Sequence, residues 1–304
     1  MSTESRALAV TAPGETSYRT HQGRLAYVLL KFARRQPVGT LCFFVVLFTA
    51  LVAVAAPLIV SDPYAIDPDA RLQAPSRAHP FGTDELGRDL LARVVYGART
   101  SMYVGLGAVL LGIVAGAVLG ITSGYVGGLY DLSLQRLIDA AMALPTLLLA
   151  LVLVATIGNN SVLVVVAIGL AFAPTIARVV RSSAISVRAS PMIEAAQAVG
   201  SSDLRIMIRY VGANTVPVLI VLASAFFSRA IIVEASLSFL GLGIPPPEPS
   251  WGRMLSGAAR QHLEQAPWIA IFPGAALTTL ALSLNFLGDA VRDTIDPRLR
   301  SAGD

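Results

Sequence analysis

Two ionisable side chains, Arg229 and Glu234, interrupt the otherwise apolar stretch from Tyr210 to Leu240. Charged groups inside a membrane are costly, and by default they mark a substrate or ion pathway. A guanidinium group binds a carboxylate through two parallel hydrogen bonds, so Arg229 is a candidate to contact a solute that carries a carboxylate. The alternative for Arg229 is a charge that is satisfied at a subunit interface. A spacing of five residues places the two side chains near opposite sides of a helix, so we expect no direct ion pair between them.

A second group of candidate residues lies in a basic segment between two apolar stretches: Glu194, Ala195, Ala196, Gly200 and Asp203. A proline three residues before Glu194 favours a helix start, and Gly200 favours a helix end. Asp203 or a preceding serine is suited to cap a second short helix. The apolar face of the first helix is predicted to consist of Met192, Ala195, Ala196 and Val199. Two short helices joined by a glycine fit a groove on a partner protein; the alternative is an interfacial helix bound only to lipid.

The residue types that support catalysis are not arranged for it. Lys31, the only lysine, follows a leucine rather than a glycine, so the sequence has no Walker-type nucleotide site. The three histidines have no metal-ligand spacing, and no serine has the glycine context of a hydrolase nucleophile. Cys42 is the only cysteine, which excludes an intramolecular disulfide. We therefore expect no catalytic residue, metal site or bound cofactor in this chain.

The elements that must position these residues are membrane spans. The chain has 304 residues, of which 55% are hydrophobic and 14% charged, with a mean hydropathy of +0.67. Soluble domains carry about 25% charged residues, and a helix needs about 20 apolar residues to cross the hydrocarbon core. The six predicted spans are Val38–Val60, Thr100–Tyr130, two halves of Ala140–Ala177 divided at Gly158–Ser161, Tyr210–Leu240 and Gln265–Gly288.

The distribution of basic residues predicts the orientation of these spans. If the N-terminus is cytoplasmic, 15 of the 23 basic residues lie in cytoplasmic segments, 7 lie outside and Arg229 lies within a span. Basic residues concentrate on the cytoplasmic side, so both termini and the Glu194 segment are predicted to be cytoplasmic. The net charge of +4 suits loops beside anionic lipid, and we expect no nucleic-acid partner.

The spans divide the chain into alternating segments. The divisions are a cytoplasmic tail with an interfacial helix (1–36), a first span (37–60), an extracytoplasmic segment (61–99), a core of spans (100–290) that contains a cytoplasmic loop (182–213) and an extracytoplasmic loop (241–266), and a cytoplasmic tail (291–304). Within the first extracytoplasmic segment, Thr83 or Asp84 is predicted to cap a separate amphipathic helix from Glu85 to Tyr96.

Glycines at four-residue spacing mark one face of the second span: Gly112, Gly116, Gly120 and Gly124. Small residues on one face allow two helices to approach closely in lipid. Two interpretations stay open at this point: close contact with a partner subunit or a sliding helix, and ordinary packing within this subunit.

Five further segments accompany the Glu194 motif in a fixed order. They are Phe81–Asp89, Tyr96–Ser101, Glu234–Gly243, Pro249–Gly252, and Asp289–Asp293 with Asp296–Arg298. Together with Glu-Ala-Ala and the following glycine, this series resembles the second permease subunit of the dipeptide, oligopeptide and nickel class of ATP-binding-cassette (ABC) importers. The resemblance extends from about Tyr27 to Arg300.

The resemblance implies an all-α subunit with six transmembrane helices and the permease fold of type I ABC importers, in the bacterial cytoplasmic membrane. It implies a related second permease subunit, two ABC ATPase subunits that bind ATP and magnesium, and an extracytoplasmic substrate-binding protein. In this family the Glu-Ala-Ala helix seats in the ATPase, so Glu194, Ala195, Ala196 and Gly200 are expected to form the coupling site, together with Asp203 beside them. One departure is visible: Gly212-Ala213 stands where the family commonly has Leu-Pro.

The expected cargo is a short peptide, with nickel chelates or another small solute as the alternative for the same machinery. Arg229 and Glu234 are the candidates for the translocation pathway. An ion-driven secondary transporter is a second alternative, and it predicts transport without ATPase partners. An intramembrane enzyme would require a nucleophile and a base within the spans, where the sequence places no histidine.

Overall fold

The computed structural model describes residues 36–257 and 261–295. The predicted interfacial helix before residue 36 and most of the C-terminal tail lie outside the described residues. Within them the fold is helical, and a single isolated β-bridge joins Thr83 to Asp89. The helices are α1 (Pro37–Ile59), α2 (Leu90–Val126), α3 (Gly128–Met142), α4 (Thr146–Ile157), α5 (Ser161–Arg188), α6 (Pro191–Ala198), α7 (Asp203–Ile206), α8 (Ala213–Phe239), α9 (Trp251–Met254) and α10 (Trp268–Ile295).

Five helices in the described part are long and apolar enough to cross a membrane, with 203–239 counted as one of them. Helices α3 and α4 meet at a bend of 93° and make a sixth span if they are counted together. The bend falls just before Pro145, since a proline disfavours helical geometry at the residue that precedes it. The predicted division at 158–161 is confirmed: α4 ends at Ile157, and the Asn160 side chain caps α5 by accepting a hydrogen bond from the Leu163 N–H at 2.8 Å.

The prediction of a separate helix from Glu85 to Tyr96 is wrong. Helix α2 begins at Leu90 and runs without interruption into the second span. Its cap is Asp89, which accepts a hydrogen bond from the Ala92 N–H at 2.8 Å. The carboxylate of Asp84 instead accepts from the backbone of Leu86 and Arg88, at 2.9 and 3.0 Å, and this holds residues 84–88 in a turn.

The four-residue glycine pattern packs within the subunit, against α5. A Cβ atom at Gly116 would lie 2.5 Å from the Ile176 side chain, and one at Gly120 would lie 2.6 Å from the Ala177 carbonyl oxygen. Such distances leave no room for a side chain, so the glycines allow the two backbones to approach closely. Of the two interpretations of the pattern, the structure supports packing within the chain.

The bundle has two different ends. At one, here called the capped end, the connecting residues 60–89, 240–257 and 261–267 cover the helices. Trp251 donates a hydrogen bond to the Val94 carbonyl at 2.9 Å, and Trp268 donates to the Thr83 carbonyl at 3.2 Å. The other end, here called the Glu194 end, carries the short helices α6 and α7.

Candidate functional site

Helix α6 contains the Glu-Ala-Ala motif and ends as the sequence predicts. Its first residue is Pro191, and Gly200 follows it with φ of +77°. The Gly200 N–H donates to the Gln197 carbonyl at 2.9 Å, and the Ser201 N–H donates to the Ala196 carbonyl at 3.0 Å. This pair of hydrogen bonds is a Schellman motif, which requires a left-handed residue where the chain leaves the helix. Glycine meets that requirement without a steric penalty.

The predicted apolar face of α6 is divided in the structure: Met192, Ala195 and Val199 are exposed, whereas Ala196 is buried against the bundle. The side chains that face the bundle are Ile193 and Ala196, with 2% and 4% of their surface exposed. They pack in a small cluster with Tyr125, Ala184, Ile206 and Val211. Met192 and Val199 are 40% and 80% exposed, so the apolar side chains around Glu194 face outward.

The coupling candidates therefore separate into an exposed group and a supporting group. Glu194, Ala195, Gln197 and Val199 are all exposed on one continuous surface, which we call the Glu194 surface together with Met192. Ala196 and Gly200 hold that surface in place, Ala196 by burial and Gly200 by its backbone conformation. Glu194 forms no hydrogen bond or ion pair within the described part of the chain.

Asp203 has a different role from the predicted cap. Ser202 is the cap residue of α7, and its side chain makes no capping hydrogen bond. The carboxylate of Asp203 accepts a hydrogen bond from the Tyr125 hydroxyl at 2.6 Å. Because Tyr125 belongs to α2, this bond ties α7 to the end of a long membrane helix. The guanidinium of Arg188 lies over the Tyr125 ring at 5.7 Å, which adds a contact from α5.

The departure at Gly212-Ala213 coincides with a change of helix type. Residues Met207–Gly212 form a π-helical turn that joins α7 to α8. Single π-helical turns inside α-helices are frequent at functional sites. The short helix predicted after Gly200 is therefore the first turn of a long, continuous helical segment, 203–239.

Two ion pairs connect α3 to α5 near the same end. Arg181 donates to both carboxylate oxygens of Asp131, at 2.6 and 2.5 Å, and Ser123 of α2 also donates to Asp131. Arg178 pairs with Asp139 one turn away on α5. A bidentate guanidinium–carboxylate pair fixes orientation as well as distance. The sequence did not predict these ion pairs because the two residues of each pair are 39 and 50 positions apart.

Arg229 lies on the exposed surface of α8, about 24 Å along the helix from its start. Its guanidinium carbon is 5.2 Å from the centre of the Phe226 ring. Within the described residues Arg229 has no carboxylate partner, so its charge is available to a group outside this chain.

Glu234 lies in the interior of the subunit. None of its surface is exposed, and one carboxylate oxygen accepts hydrogen bonds from Ser238 and Ser250, each at 2.7 Å. The other oxygen and the Ser101 hydroxyl are buried without a hydrogen bond. Since Ser250 immediately precedes α9, Glu234 joins α8 to the capped end. The two candidate pathway residues thus have different surroundings, one on the surface and one in the core.

Comparison with known proteins identifies the family. A family model described as a binding-protein-dependent transport system inner membrane component matches residues 109–301. The chain is 42% identical over 252 residues to a dipeptide transport system permease protein of Alkalihalophilus pseudofirmus, covering 83% of each chain. It is 38% identical to a glutathione transport system permease protein of Pectobacterium atrosepticum, covering 89% of this chain and 90% of that one.

A third relative, a di/tripeptide transport system permease protein of Pseudomonas aeruginosa, is 37% identical over 87% of this chain and 88% of its own. The family match includes the Glu194 segment, the α3–α5 ion pairs and both charged residues of α8. The chain belongs to the binding-protein-dependent transport system inner membrane component family, and it is a membrane permease subunit of the ABC transporter class.

Proposed function

We propose that this chain is one of two permease subunits in an ATP-driven importer of short peptides. The observation that carries the proposal is the Glu194 surface: an exposed patch with a central carboxylate, held rigidly at one end of a membrane bundle of the permease family. Exposed apolar side chains beside an unpaired charge are typical of a surface that docks a protein.

The partner for the Glu194 surface is a cytoplasmic ABC ATPase subunit. Glu194 pairs with a basic residue in a groove of the ATPase, and Met192 and Val199 supply apolar contact area. When ATP binding closes the two ATPases, α6 moves with them. The bond between Tyr125 and Asp203 and the pairs between α3 and α5 pass that displacement to the membrane helices. ATP and magnesium are bound by the ATPases.

The orientation that this mechanism needs agrees with the charge distribution. The Glu194 end faces the cytoplasm of a bacterium, both termini lie on that side, and the capped end faces outward. A related second permease subunit completes the pathway, and an extracytoplasmic binding protein delivers the cargo to the capped end. Lipid surrounds the exposed apolar face of α1.

The proposed cargo is a short peptide because the similar proteins are named for dipeptides, di/tripeptides and glutathione. Arg229 is the residue proposed to face the pathway, where it meets peptide carboxylates. Glu234 is reassigned to a structural role because its carboxylate is enclosed. Nickel chelates remain the alternative cargo for the same machinery.

The test is a pull-down of the tagged chain from detergent-solubilised native membranes, with mass spectrometry of the partners. We expect the unmodified chain to recover a second permease and ABC ATPases. Glu194→Arg should lose the ATPases and keep the second permease, because only the Glu194 surface is altered. Glu264→Arg is the matched control, since Glu264 is an exposed glutamate of the other end. Recovery of the chain alone under mild conditions would contradict the coupling role and favour a self-sufficient transporter.

The cargo is tested separately in the assembled complex. Arg229→Ala should weaken the stimulation of ATPase activity by peptide-loaded binding protein, and Arg229→Lys should retain part of it. Unchanged stimulation and uptake in Arg229→Ala would remove Arg229 from the pathway. Uptake of nickel chelates but not of peptides by the unmodified complex would replace the proposed cargo.

A further inference from the structure

A cavity of about 380 Å³ opens at the capped end, between the first turns of α2 and the loop before α9. Its volume falls in the range of about 300–1,000 Å³ that small-molecule sites occupy. Its lining consists of Tyr64, Tyr96, Arg99, Thr100, Tyr103, Ser161, Glu248 and Pro249. Neither the Glu194 surface nor Arg229 contributes to it, so the functions assigned above leave this cavity unexplained.

Helix α2 supplies half of the lining from one face. Tyr96, Arg99, Thr100 and Tyr103 are spaced by three, one and three residues, which aligns them along one stripe of the helix. Arg99 and Tyr103 are exposed. The stripe continues along α2 as exposed apolar side chains: Leu106, Leu110, Val114 and Val118. The cavity therefore lies at the capped end of a continuous exposed face that extends along α2.

The cavity holds one cation and one anion that do not neutralise each other. Arg99 forms no ion pair with any carboxylate in the described part of the chain. Glu248 is exposed, and one of its carboxylate oxygens accepts a hydrogen bond from the Ser161 hydroxyl at 2.8 Å. Tyr64 and Glu248 both line the cavity. Partial burial and then the negative charge of Glu248 raise the pKa of Tyr64.

We propose that this cavity is an entry site that binds a short peptide by its two termini. Arg99 binds the terminal carboxylate, for which a guanidinium group is the best-matched donor. Glu248 binds the terminal ammonium group, and the tyrosine rings around it add cation–π contacts. This inference rests on peptide import as the proposed function, and it assigns the site on this subunit where the peptide first leaves the binding protein.

Recognition of both termini explains how one site serves peptides of different sequence. The lining offers one cation, one anion and three tyrosine rings, and its other polar side chains are hydroxyls. Hydroxyls and tyrosine faces accept varied side chains, whereas a buried charge opposite a peptide side chain would select for one of them.

The experiment measures protection of a cysteine in the assembled complex, reconstituted without the binding protein. Cys42→Ser removes the native cysteine of this chain, and Thr100→Cys places a reporter in the cavity. Labelling of this chain by a membrane-impermeant maleimide is followed with alanyl-alanine, with its N-acetyl derivative and with its C-terminal amide. At about ten times Kd, we expect alanyl-alanine to slow labelling about tenfold. Each blocked analogue should need at least about tenfold more ligand for the same effect.

Variants of Arg99 test whether this arginine binds the terminal carboxylate of the peptide. Arg99→Gln should remove the difference between alanyl-alanine and its amide, and Arg99→Lys should restore part of it. Arg77→Gln is the control: Arg77 is an exposed arginine of the connection 60–89 at the same end and does not line the cavity, so protection should be unchanged. Recovery of the intact complex for each variant confirms folding.

Three results would overturn the proposal: labelling that is indifferent to peptide, equal protection by alanyl-alanine and its amide, or equal protection with and without Arg99. Protection that requires the binding protein and is independent of peptide would assign the cavity to protein docking instead. Uptake of peptide by the unmodified complex is measured in parallel, after the binding protein has been added. Uptake without protection would reject the entry site alone, whereas absence of uptake would reject the proposed cargo.

Discussion

Two carboxylates at the two ends of the bundle, those of Asp84 and Glu194, have opposite surroundings. At the capped end Asp84 is 3% exposed, and it accepts hydrogen bonds from two backbone N–H groups and from the Arg88 guanidinium at 2.6 Å. Arg93, also buried, lies 3.5 Å from the same carboxylate. At the other end Glu194 is exposed and has no partner in the described part of the chain. The first arrangement is complete by itself, whereas the second needs another protein.

This difference separates the residues that stabilise the fold from those that are available to bind a partner protein. Buried charges that satisfy one another are strongly destabilising to disturb, because removal of one partner leaves the other unpaired. Exposed side chains contribute little to stability and are free to contribute to docking. Substitutions in the buried charge cluster around Asp84 should therefore affect folding, and substitutions on the Glu194 surface should affect assembly. The following predictions test that separation, beginning with the largest expected effect on stability.

Asp84→Ala should prevent the chain from folding normally. The change leaves the guanidinium of Arg88 and the charge of Arg93 without their carboxylate, and it removes the acceptor that holds the 84–88 turn. We expect a loss of about 3–5 kcal/mol in the free energy of unfolding. The measurement is the yield and thermal denaturation midpoint of the chain in detergent. Asp69→Ala is the control, since Asp69 is exposed in the same connection; equal behaviour of the two variants would refute the role of Asp84.

Arg181→Gln should have a smaller effect on stability, because its ion pair with Asp131 is only partly buried. The Asp131 side chain keeps its hydrogen bond from Ser123 but loses the bidentate pair, and the Arg181 side chain is 30% exposed. After allowance for that exposure we expect a loss of about 1–2 kcal/mol. Thermal denaturation of Arg181→Gln, of Asp131→Asn and of the double variant measures the coupling between the two residues. Strictly additive losses would show that the pair does not join α3 to α5 energetically.

Gly200→Ala tests whether the turn after α6 positions the Glu194 surface, and it changes no side chain of that surface. A Cβ atom at Gly200 meets no atom within 4 Å, so the only cost is the left-handed backbone at φ +77°. That cost is about 1 kcal/mol. Gly128→Ala is the matched control, because Gly128 has φ +62° and equally open space but lies outside α6. We expect similar small losses of stability and a loss of ATPase binding only for Gly200→Ala; equal binding would show that the Gly200 turn does not set the surface.

The sequence allowed most of the spans to be predicted because apolar runs need no tertiary information, but the 93° bend between α3 and α4, inside the third predicted span, was not predicted. The turn at 158–161 and the glycine end of α6 were predictable for the same reason, since each depends on local chemistry. The start of α2 was not predictable. The stripe of Leu86, Leu90 and Val94 continues the helical period across position 90, and the true start depends on where the Asp84 carboxylate binds backbone N–H groups.

Side-chain roles in the site depended on contacts between distant segments. An alanine-rich helix of eight residues offers two plausible apolar faces, and packing against Tyr125 and Ala184 decides that Ile193 and Ala196 are buried. The enclosure of Glu234 depends on Ser250, which is 16 positions away. A charged residue inside a span is either part of the translocation pathway or a buried, hydrogen-bonded group. Only the folded structure shows that Glu234 is buried and Arg229 is exposed.

The smallest effect on stability, and the sharpest test of the comparison, is expected from Met192→Ser. Met192 is 40% exposed, so its replacement should change the free energy of unfolding by no more than about 0.5 kcal/mol. The same change removes apolar contact area from the Glu194 surface and should weaken ATPase binding, measured by co-purification. Its counterpart is Leu86→Ser, because Leu86 is similarly exposed, at 39%, on the capped end. If both variants retain the ATPases, the apolar part of the surface does not contribute to docking, and Glu194 alone would carry the contact.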